Sequence, residues 1–225
     1  MSKIDINQWM ENLKTEILNN FENRIEFIGI QGSYARGEAN ENSDIDVVVI
    51  FDSLTTEDLK RYDQIISAMP HRDKICGFVS GRDEIINWEK SDLFQFYYDT
   101  KAVYKSLDFL APLIKKDNVK QAVLIGACNI YHACCHNIIH EKDIEILKAL
   151  FKQAAFVLQA KYFFETDNYI AKKSELLDKL SDTDQQIIRL SLEIKSKENL
   201  SNDDFESYSN ELFVWSGKLI KEYSN

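Results

Sequence analysis

The most constraining feature of the sequence is a pair of aspartates that alternate with apolar residues where a strand is predicted to start. The stretch reads SDIDVVVIFD, and Asp44 and Asp46 stand two positions apart within it. Residues i and i+2 of a strand point to one face, about 6.6 Å apart. At an effective dielectric of about 20, two negative charges at that distance repel by about 2.5 kcal/mol. The pair therefore predicts a divalent cation that compensates both carboxylates.

A glycine-serine turn precedes the two aspartates and follows another predicted strand, RIEFIGIQ. Gly32 has no Cβ, so backbone N–H groups and the Ser33 hydroxyl are free to approach a phosphate closely. Arg36 adds a planar cation suited to phosphate oxygens. Mg²⁺ prefers carboxylate oxygens and shares its coordination shell with phosphates. The pattern predicts a site for Mg²⁺ and a nucleoside triphosphate. The alternative is a polar turn before a strand whose aspartates face water.

The stretch GSYARGEANENSDID resembles the signature of the polymerase-beta-like nucleotidyltransferase superfamily, a Gly-Ser followed some ten residues later by Asp-x-Asp. The resemblance implies that Asp44 and Asp46 are catalytic and hold Mg²⁺. It also implies that Gly32, Ser33 and Arg36 position the polyphosphate of ATP or another nucleoside triphosphate. The expected reaction is attack by a substrate oxygen on the α-phosphorus, with release of pyrophosphate.

Apolar spacing divides the chain into an α/β part and a helical part. We predict an α/β (α+β) N-terminal domain with a small mixed sheet over residues 1–112, and an all-α bundle over residues 113–225, with the boundary near Pro112. The predicted helices cover residues 6–21, with Asp5 as N-cap, 56–69, 119–140 and 144–164, and two more follow Ser174. The third predicted strand is KICGFVS.

This order of domains resembles the antibiotic-modifying nucleotidyltransferases, which adenylylate aminoglycosides or lincosamides. The segment AAFVLQAKYFFETDNYIAKKSELLDKL is similar to one in which their loop lysine approaches the triphosphate, and the matching residue is Lys173. The alternative for Lys172 and Lys173 is a solvated helix start. The resemblance implies a helical substrate-binding domain. It also implies a possible homodimer, because enzymes of this group often dimerise.

One residue departs from the family pattern. The relatives carry a third carboxylate in a Glu-x-x-Phe context on the next strand, and aligning Phe78 with that phenylalanine places Ile75 where the acid should be. Asp73 would share the face of the missing acid if the strand started that early, so we predict it as a catalytic substitute. Glu84 and Glu89 are further candidates. The alternative is that all three acids are surface residues without a catalytic role.

Charge and cysteine content limit the partners and the compartment. The chain has 37 acidic and 27 basic residues and a net charge of −10, which argues against a nucleic-acid partner and suits a cationic small molecule. No signal peptide and no run long enough to span a bilayer is recognised, so we expect a cytoplasmic protein without membrane contact. The four cysteines form no CxxC pair and are expected to be reduced.

A histidine stripe in the helical part remains open to two readings. His132, His136 and His140 follow at i, i+4 and i+8, and such spacing allows a soft metal such as zinc. The alternative is a helix that packs in the bundle with its histidines bonded to neighbours.

The sequence favours a Mg²⁺-dependent enzyme that transfers a nucleoside monophosphate, AMP from ATP, to a hydroxyl of a small molecule such as an aminoglycoside. A second hypothesis is an adenylyltransferase that modifies a partner protein, as antitoxins of this superfamily do. A third is a nucleotide-binding protein impaired in catalysis by the loss of the third carboxylate at Ile75.

Overall fold

The computed structural model describes residues 4–197 and 199–224. The chain divides into two compact units, with the division between Ile114 and Lys115. The first unit contains every strand of the described residues, and the second is helical. The predicted combination of a small mixed sheet and a following helical bundle is therefore confirmed.

The first unit is built on one four-stranded sheet. Its strands are β1 (Ile25–Gln31), β2 (Ile45–Phe51), β3 (Ile75–Gly81) and β4 (Lys101–Tyr104). The order across the sheet is β3-β2-β1-β4. Strand β1 runs antiparallel to β2 and to β4, whereas β2 runs parallel to β3. The edge strand β4 was not predicted, because four residues are too few to show an alternating pattern.

Five helices belong to the first unit: α1 (Ile6–Phe21), α2 (Gly32–Arg36), α3 (Thr56–Ala68), α4 (Arg82–Asn87) and α5 (Lys90–Asp99). The predicted first helix is confirmed, and its N-cap Asp5 accepts a hydrogen bond from the Gln8 amide at 3.2 Å. Helix α3 begins with a capping box between Thr55 and Asp58.

Apolar side chains form a core on each face of the sheet. Odd-numbered residues of β2, from Ile45 to Phe51, join α1 and α3 in one core, while Val48 and Ile50 join α4 and α5 in the other. The alternation of a strand therefore directs Asp46 to the face of Val48 and Ile50. That face determines which residues of the neighbouring strands stand beside Asp46.

The second unit contains the helices α6 (Lys116–His136), α7 (Ile144–Thr166), α8 (Lys173–Leu177), α9 (Asp182–Ile194) and α10 (Asn202–Tyr223). Helix α6 continues into one π-helical turn at Asn137–Glu141. Two helices of the described residues, α9 and α10, begin after Ser174 as predicted, and the short α8 begins just before it at Lys173. Helices α6, α7 and α10 pack together along their apolar faces.

One helix in the described part of the chain, Lys116–Glu141, is long and apolar enough to cross a membrane by length and composition. The expectation that no run has this length is therefore wrong. Buried Val123, Ala127 and Ile130 pack one face of this helix in the second unit, and 28% of its apolar window is buried.

Candidate functional site

The predicted turn lies between the paired ends of two strands. Gln31, the last residue of β1, pairs with Asp46 of β2, and α2 begins directly after Gln31. Gly32 has a φ of +68°, a left-handed conformation that L side chains rarely adopt, and a Cβ built there would lie 2.0 Å from Asp46 Oδ2. The backbone of the turn therefore lies directly against the Asp46 carboxylate.

The two aspartates occupy different local environments. Asp46 lies inside β2 and is half-buried, whereas Asp44 is exposed and lies one residue before the strand. Two carboxylates beside a glycine turn fit Mg²⁺, which takes the rest of its shell from water and phosphate oxygens. No group of three His, Cys, Asp or Glu residues that could hold a metal occurs within residues 4–197 and 199–224. The local donor set is therefore a pair of carboxylates.

The neighbouring strand corrects the expected position of a third carboxylate. In the parallel pairing of β2 and β3, Asp46 stands opposite Cys76 and Ile45 stands opposite Ile75. Register partners of parallel strands point to the same face, so Cys76 shares the face of Asp46. Ile75 is buried in the opposite core. An acid at position 75 would point away from Asp46, and the position beside Asp46 is residue 76.

Asp73 does not lie on the strand. It belongs to the 3-10 turn Arg72–Lys74 that precedes β3, and it is exposed. The prediction that it shares the strand face of the missing acid assumed an earlier strand start and is wrong on that point. The strand begins at Ile75, so alternation does not fix where the Asp73 carboxylate points.

The other two candidate acids have different surroundings. Glu84 Oε2 lies 2.2 Å from a Cβ built on Gly81, at the far end of β3, five residues and about 16 Å along the strand from Cys76. Glu89 caps α5 and accepts hydrogen bonds from the Ser91 and Asp92 amides at 2.7 and 3.1 Å. Burial opposes ionisation of Glu89, but these hydrogen bonds lower its pKa. Glu84 and Glu89 are therefore poor substitutes for the third carboxylate.

Arg36 is engaged within the protein. Its Nη1 donates to both carboxylate oxygens of Asp99, at 2.9 and 2.7 Å, and its Nε donates to Glu38 Oε2 at 3.1 Å. The side chain is 9% exposed. Burial alone would lower the pKa of Arg36, but Asp99 and Glu38 raise it above its ordinary value. Asp99 and Glu38 thus engage the Nη1 and Nε donors of Arg36, and its phosphate-binding role stays a prediction.

Sequence reasoning missed Asp99 entirely. This residue ends α5, its side chain is 10% exposed, and its carboxylate accepts two hydrogen bonds from Arg36 Nη1. Burial raises the pKa of Asp99, while the Arg36 guanidinium and the Gly32 amide oppose the rise. Asp99 stands about fifty positions after the signature, in the aromatic segment FQFYYDT, and no spacing rule connects it with the turn.

Lys173 lies in the second unit as the first residue of α8. Its Nζ lies 3.5 Å from Ser191 Oγ and 5.9 Å from the centre of the Phe156 ring. The loop before it is fixed by Gln159, which is 1% exposed and whose Nε2 donates to the carbonyls of Ile170 and Ala171 at 3.0 and 2.6 Å. Gln159 therefore sets the conformation of the Ile-Ala-Lys-Lys loop, a role that the sequence did not reveal.

The histidine stripe does not form a metal centre in the described part of the chain. His136 and His140 have ring centroids 4.8 Å apart, and His136 Nδ1 lies 4.0 Å from Glu141 Oε1. The π-helical turn places His140 outside the regular i, i+4 spacing. All three histidines are exposed, so they are not packed in the bundle core, and the contacts of His136 with His140 and Glu141 are the only part of the predicted bonding to neighbours shown in the described residues.

Comparison with known proteins identifies the family of the chain and a solved structure of similar fold. The family model described as a nucleotidyltransferase domain matches residues 10–125, more than half of the chain. A search of curated proteins finds no match.

A solved structure with a similar fold is that of a spectinomycin adenyltransferase from Enterococcus faecialis, determined with ATP and spectinomycin. The TM-score is 0.59 at 15% sequence identity, and the alignment covers 94% of this chain and 98% of that chain. The shared fold therefore extends well beyond the segment that carries the glycine turn and the aspartates.

Proposed function

Because the chain belongs to the nucleotidyltransferase domain family, it is a nucleotidyltransferase, and we propose that it transfers AMP from ATP to a hydroxyl of a small molecule. The observation that carries this proposal is the contact between the Gly32 turn and the Asp46 carboxylate. A turn that presents backbone N–H groups beside a carboxylate matches a metal-bound triphosphate, which has both anionic oxygens and a cation.

The proposed roles follow from position. Asp44 and Asp46 would hold Mg²⁺, and the ion would supply positive charge that stabilises the attacking and leaving oxygens. Gly32 and Ser33 orient the triphosphate, and the family resemblance assigns Lys173 to nucleotide binding as well. The acceptor hydroxyl gives its proton to water as its oxygen bonds to the α-phosphorus, and the bond from the α-phosphorus to the pyrophosphate oxygen breaks. These residues accelerate the reaction by positioning and electrostatics, with Cys76 standing beside Asp46 in place of a carboxylate.

Two observations support a small-molecule acceptor. The chain carries a second, helical unit of its own, and the adenyltransferase of similar fold was solved with spectinomycin. The net charge of −10 suits a cationic acceptor such as an aminoglycoside. We propose an antibiotic of this class as the acceptor.

Pyrophosphate release tests the proposed function. Each nucleoside triphosphate is supplied with Mg²⁺ and with a panel of aminoglycosides, spectinomycin and lincosamides, and Asp46→Asn serves as the variant without a complete carboxylate pair. We expect release with ATP that requires one acceptor and is lost in Asp46→Asn. Glu84→Gln is the matched control, because Glu84 lies at the other end of β3. Acceptor-dependent release that survives in Asp46→Asn would contradict the proposal.

A second candidate function is nucleotide binding without turnover, and the thiol of Cys76 beside Asp46 favours it. In that case the wild type binds ATP with Mg²⁺ but releases no pyrophosphate with any acceptor. Calorimetric titration with ATP, run beside the pyrophosphate assay, separates the two functions. Modification of a partner protein would instead appear as transfer of labelled AMP to a protein.

A further inference from the structure

A cavity in the second unit is lined by residues that the proposed reaction does not use. Its volume is about 580 Å³, and small-molecule sites commonly have about 300–1,000 Å³. It lies between the π-helical turn after α6, the first residue of α7 and the first half of α10. Five apolar side chains line it: Ile138, Ile144, Leu200, Phe205 and Phe213. The cavity therefore has the size and the apolar walls of a site for a small molecule.

One polar side chain of the cavity lacks a hydrogen-bond partner. Ser209 lines the cavity and is 2% exposed, and its Oγ is without a partner within residues 4–197 and 199–224. Such a hydroxyl costs free energy, because burial has removed its hydrogen bonds with water. The carbonyl of Ser209 accepts a hydrogen bond from Cys134 Sγ at 3.3 Å, which fixes the residue against α6. A ligand group that bonds with the hydroxyl would remove the cost.

The walls of the cavity are held in place by contacts around it. Asn137, which is 1% exposed, donates to the Asp143 carbonyl at 2.9 Å and accepts from the Asp143 amide at 2.9 Å. These two bonds close the turn that carries Ile138. The Phe213 ring stacks on Tyr131, with ring centroids 4.8 Å apart. A site whose walls are already ordered binds its ligand without a large cost of ordering them.

The charges around the cavity favour an uncharged ligand. Of the described residues that line it, Lys142 and Glu206 are charged, and their charges have opposite sign. The starts of α7 and α10 are capped by Asp143 and Ser201, which accept backbone hydrogen bonds at 2.6 and 3.1 Å. Helix-end donors that would attract an anion are therefore already bonded. A neutral molecule with one hydroxyl matches the apolar walls, the balanced charges and Ser209.

We propose that this cavity binds an uncharged small molecule that carries a hydroxyl on an apolar body, and that the ligand hydroxyl bonds with Ser209 Oγ. A serine hydroxyl both donates and accepts, so it pairs with another hydroxyl in either direction. The apolar body would cover Ile138, which is 39% exposed. The site is separate from the proposed nucleotidyl transfer, so the failure of either proposal leaves the other standing.

Four probes that share a benzyl group and differ in the terminal group test the ligand class. They are phenethyl alcohol, ethylbenzene, phenethylamine and phenylacetate. Binding to the full chain is followed through the NMR shifts of isotope-labelled isoleucine methyl groups. We expect phenethyl alcohol to shift Ile138 and Ile144 saturably and to leave Ile125 unchanged. Ile125 is the matched control, because it is 40% exposed on α6 but lies outside the described lining of the cavity.

Two substitutions separate the hydroxyl contact from the apolar walls. Ser209→Ala should bind phenethyl alcohol about fivefold more weakly, as the loss of one hydrogen bond gives, and ethylbenzene within about twofold of the wild type. Asn210→Trp places a large ring at the cavity and should abolish the shifts with both probes. Glu211→Trp is its control, because Glu211 is exposed on the same helix outside the described lining. It should bind like the wild type.

The following results would overturn the inference. Phenethyl alcohol that shifts neither Ile138 nor Ile144 across its soluble range would show that the cavity does not take this class of ligand. Equal losses of phenethyl alcohol and ethylbenzene in Ser209→Ala would remove the role of the hydroxyl. Tighter binding of phenethylamine or phenylacetate than of phenethyl alcohol would show that the site selects a charge. Binding that Asn210→Trp leaves intact would place the probe outside the cavity.

Discussion

The backbone of Gly32 lies against the carboxylate of Asp46, and a Cβ at residue 32 would stand 2.0 Å from Asp46 Oδ2. This distance is far below any normal contact between a carbon and an oxygen. A glycine is therefore required at residue 32 for two reasons, the left-handed φ of +68° and the lack of space for a side chain. The glycine turn and the Asp46 carboxylate therefore lie in direct contact.

Gly32→Ala should abolish ATP binding and lower the free energy of unfolding. A left-handed alanine costs about 1–2 kcal/mol, and the forced displacement of Asp46 adds about 1–3 kcal/mol. Gly37→Ala is the matched control, because Gly37 has a φ of +72° with nothing within 4 Å of its built Cβ. The control should show the conformational cost alone, with ATP binding retained. Equal effects of both substitutions in urea unfolding and ATP titration would contradict the proposed contact.

Cys76→Asp should raise the transfer rate, because it places a carboxylate beside Asp46 on the same strand face. Cys76 is exposed, so the substitution should change stability by only about 0.5 kcal/mol. Ile75→Asp is the contrasting variant. It buries an unpaired charge in the opposite core and should cost more than about 4 kcal/mol without raising the rate. Initial rates of pyrophosphate release and thermal unfolding of both variants test whether residue 76, rather than residue 75, stands beside Asp46. A rate that rises only in Ile75→Asp would contradict this placement.

Lys173→Ala should weaken ATP binding, whereas Lys172→Ala should not. Lys172 forms an exposed ion pair with Glu175 at 3.0 Å, 47% and 60% exposed, and such pairs contribute about 0–1 kcal/mol. We expect the KM for ATP to rise about tenfold in Lys173→Ala, as loss of a charge-assisted contact of about 1.4 kcal/mol would give. The KM for the acceptor serves as the internal comparison. Equal KM values for ATP in both variants would identify the loop lysines as solvated helix-start residues.

Asp58→Asn should destabilise the first unit at neutral pH. The hydrogen-bonded Arg24 guanidinium, with Nη1 at 2.5 Å, and Thr55 lower the pKa of Asp58 from 3.8 to about 2. Since the folded-state pKa is the lower one, the contribution is complete above about pH 4 and is lost as the pH falls through about 2. We expect a loss of about 1–2 kcal/mol at pH 7.

Urea unfolding of the wild type and the variant at several pH values measures this contribution. The difference between the two proteins should shrink as the pH falls from 4 to 2. Asp52→Asn provides the control, because Asp52 also faces Arg24, at 3.3 Å, but is 48% exposed. Its effect on the free energy of unfolding at neutral pH should be smaller. A difference between wild type and Asp58→Asn that stays constant down to pH 2 would contradict the assignment.

Sequence patterns predicted those helix starts and strands whose formation depends on residues close together in the chain. The Asp5 cap and the Thr55–Asp58 capping box mark helix starts because their hydrogen bonds join residues three positions apart. The strand SDIDVVVIFD was recognised because it is rich in β-branched residues and alternates acidic and apolar residues at its start, although Val47–Phe51 are all buried. In contrast, Gln159 could not be recognised as the support of the loop at Ile170 and Ala171, since an isolated glutamine in an apolar helix carries no signal of its partner.

The sequence by itself determined the family and the order of a sheet followed by helices. It also placed a glycine turn ahead of Asp44 and Asp46. These features can be recognised from short stretches of neighbouring residues and from the spacing of apolar residues. Only the tertiary structure decided that Cys76 rather than Ile75 stands beside Asp46, since the register between two strands is not contained in either strand alone. It also assigned Arg36 to Asp99. A buried ion pair forms between charged residues that packing brings together. The positions of Arg36 and Asp99 along the chain do not reveal that they are partners.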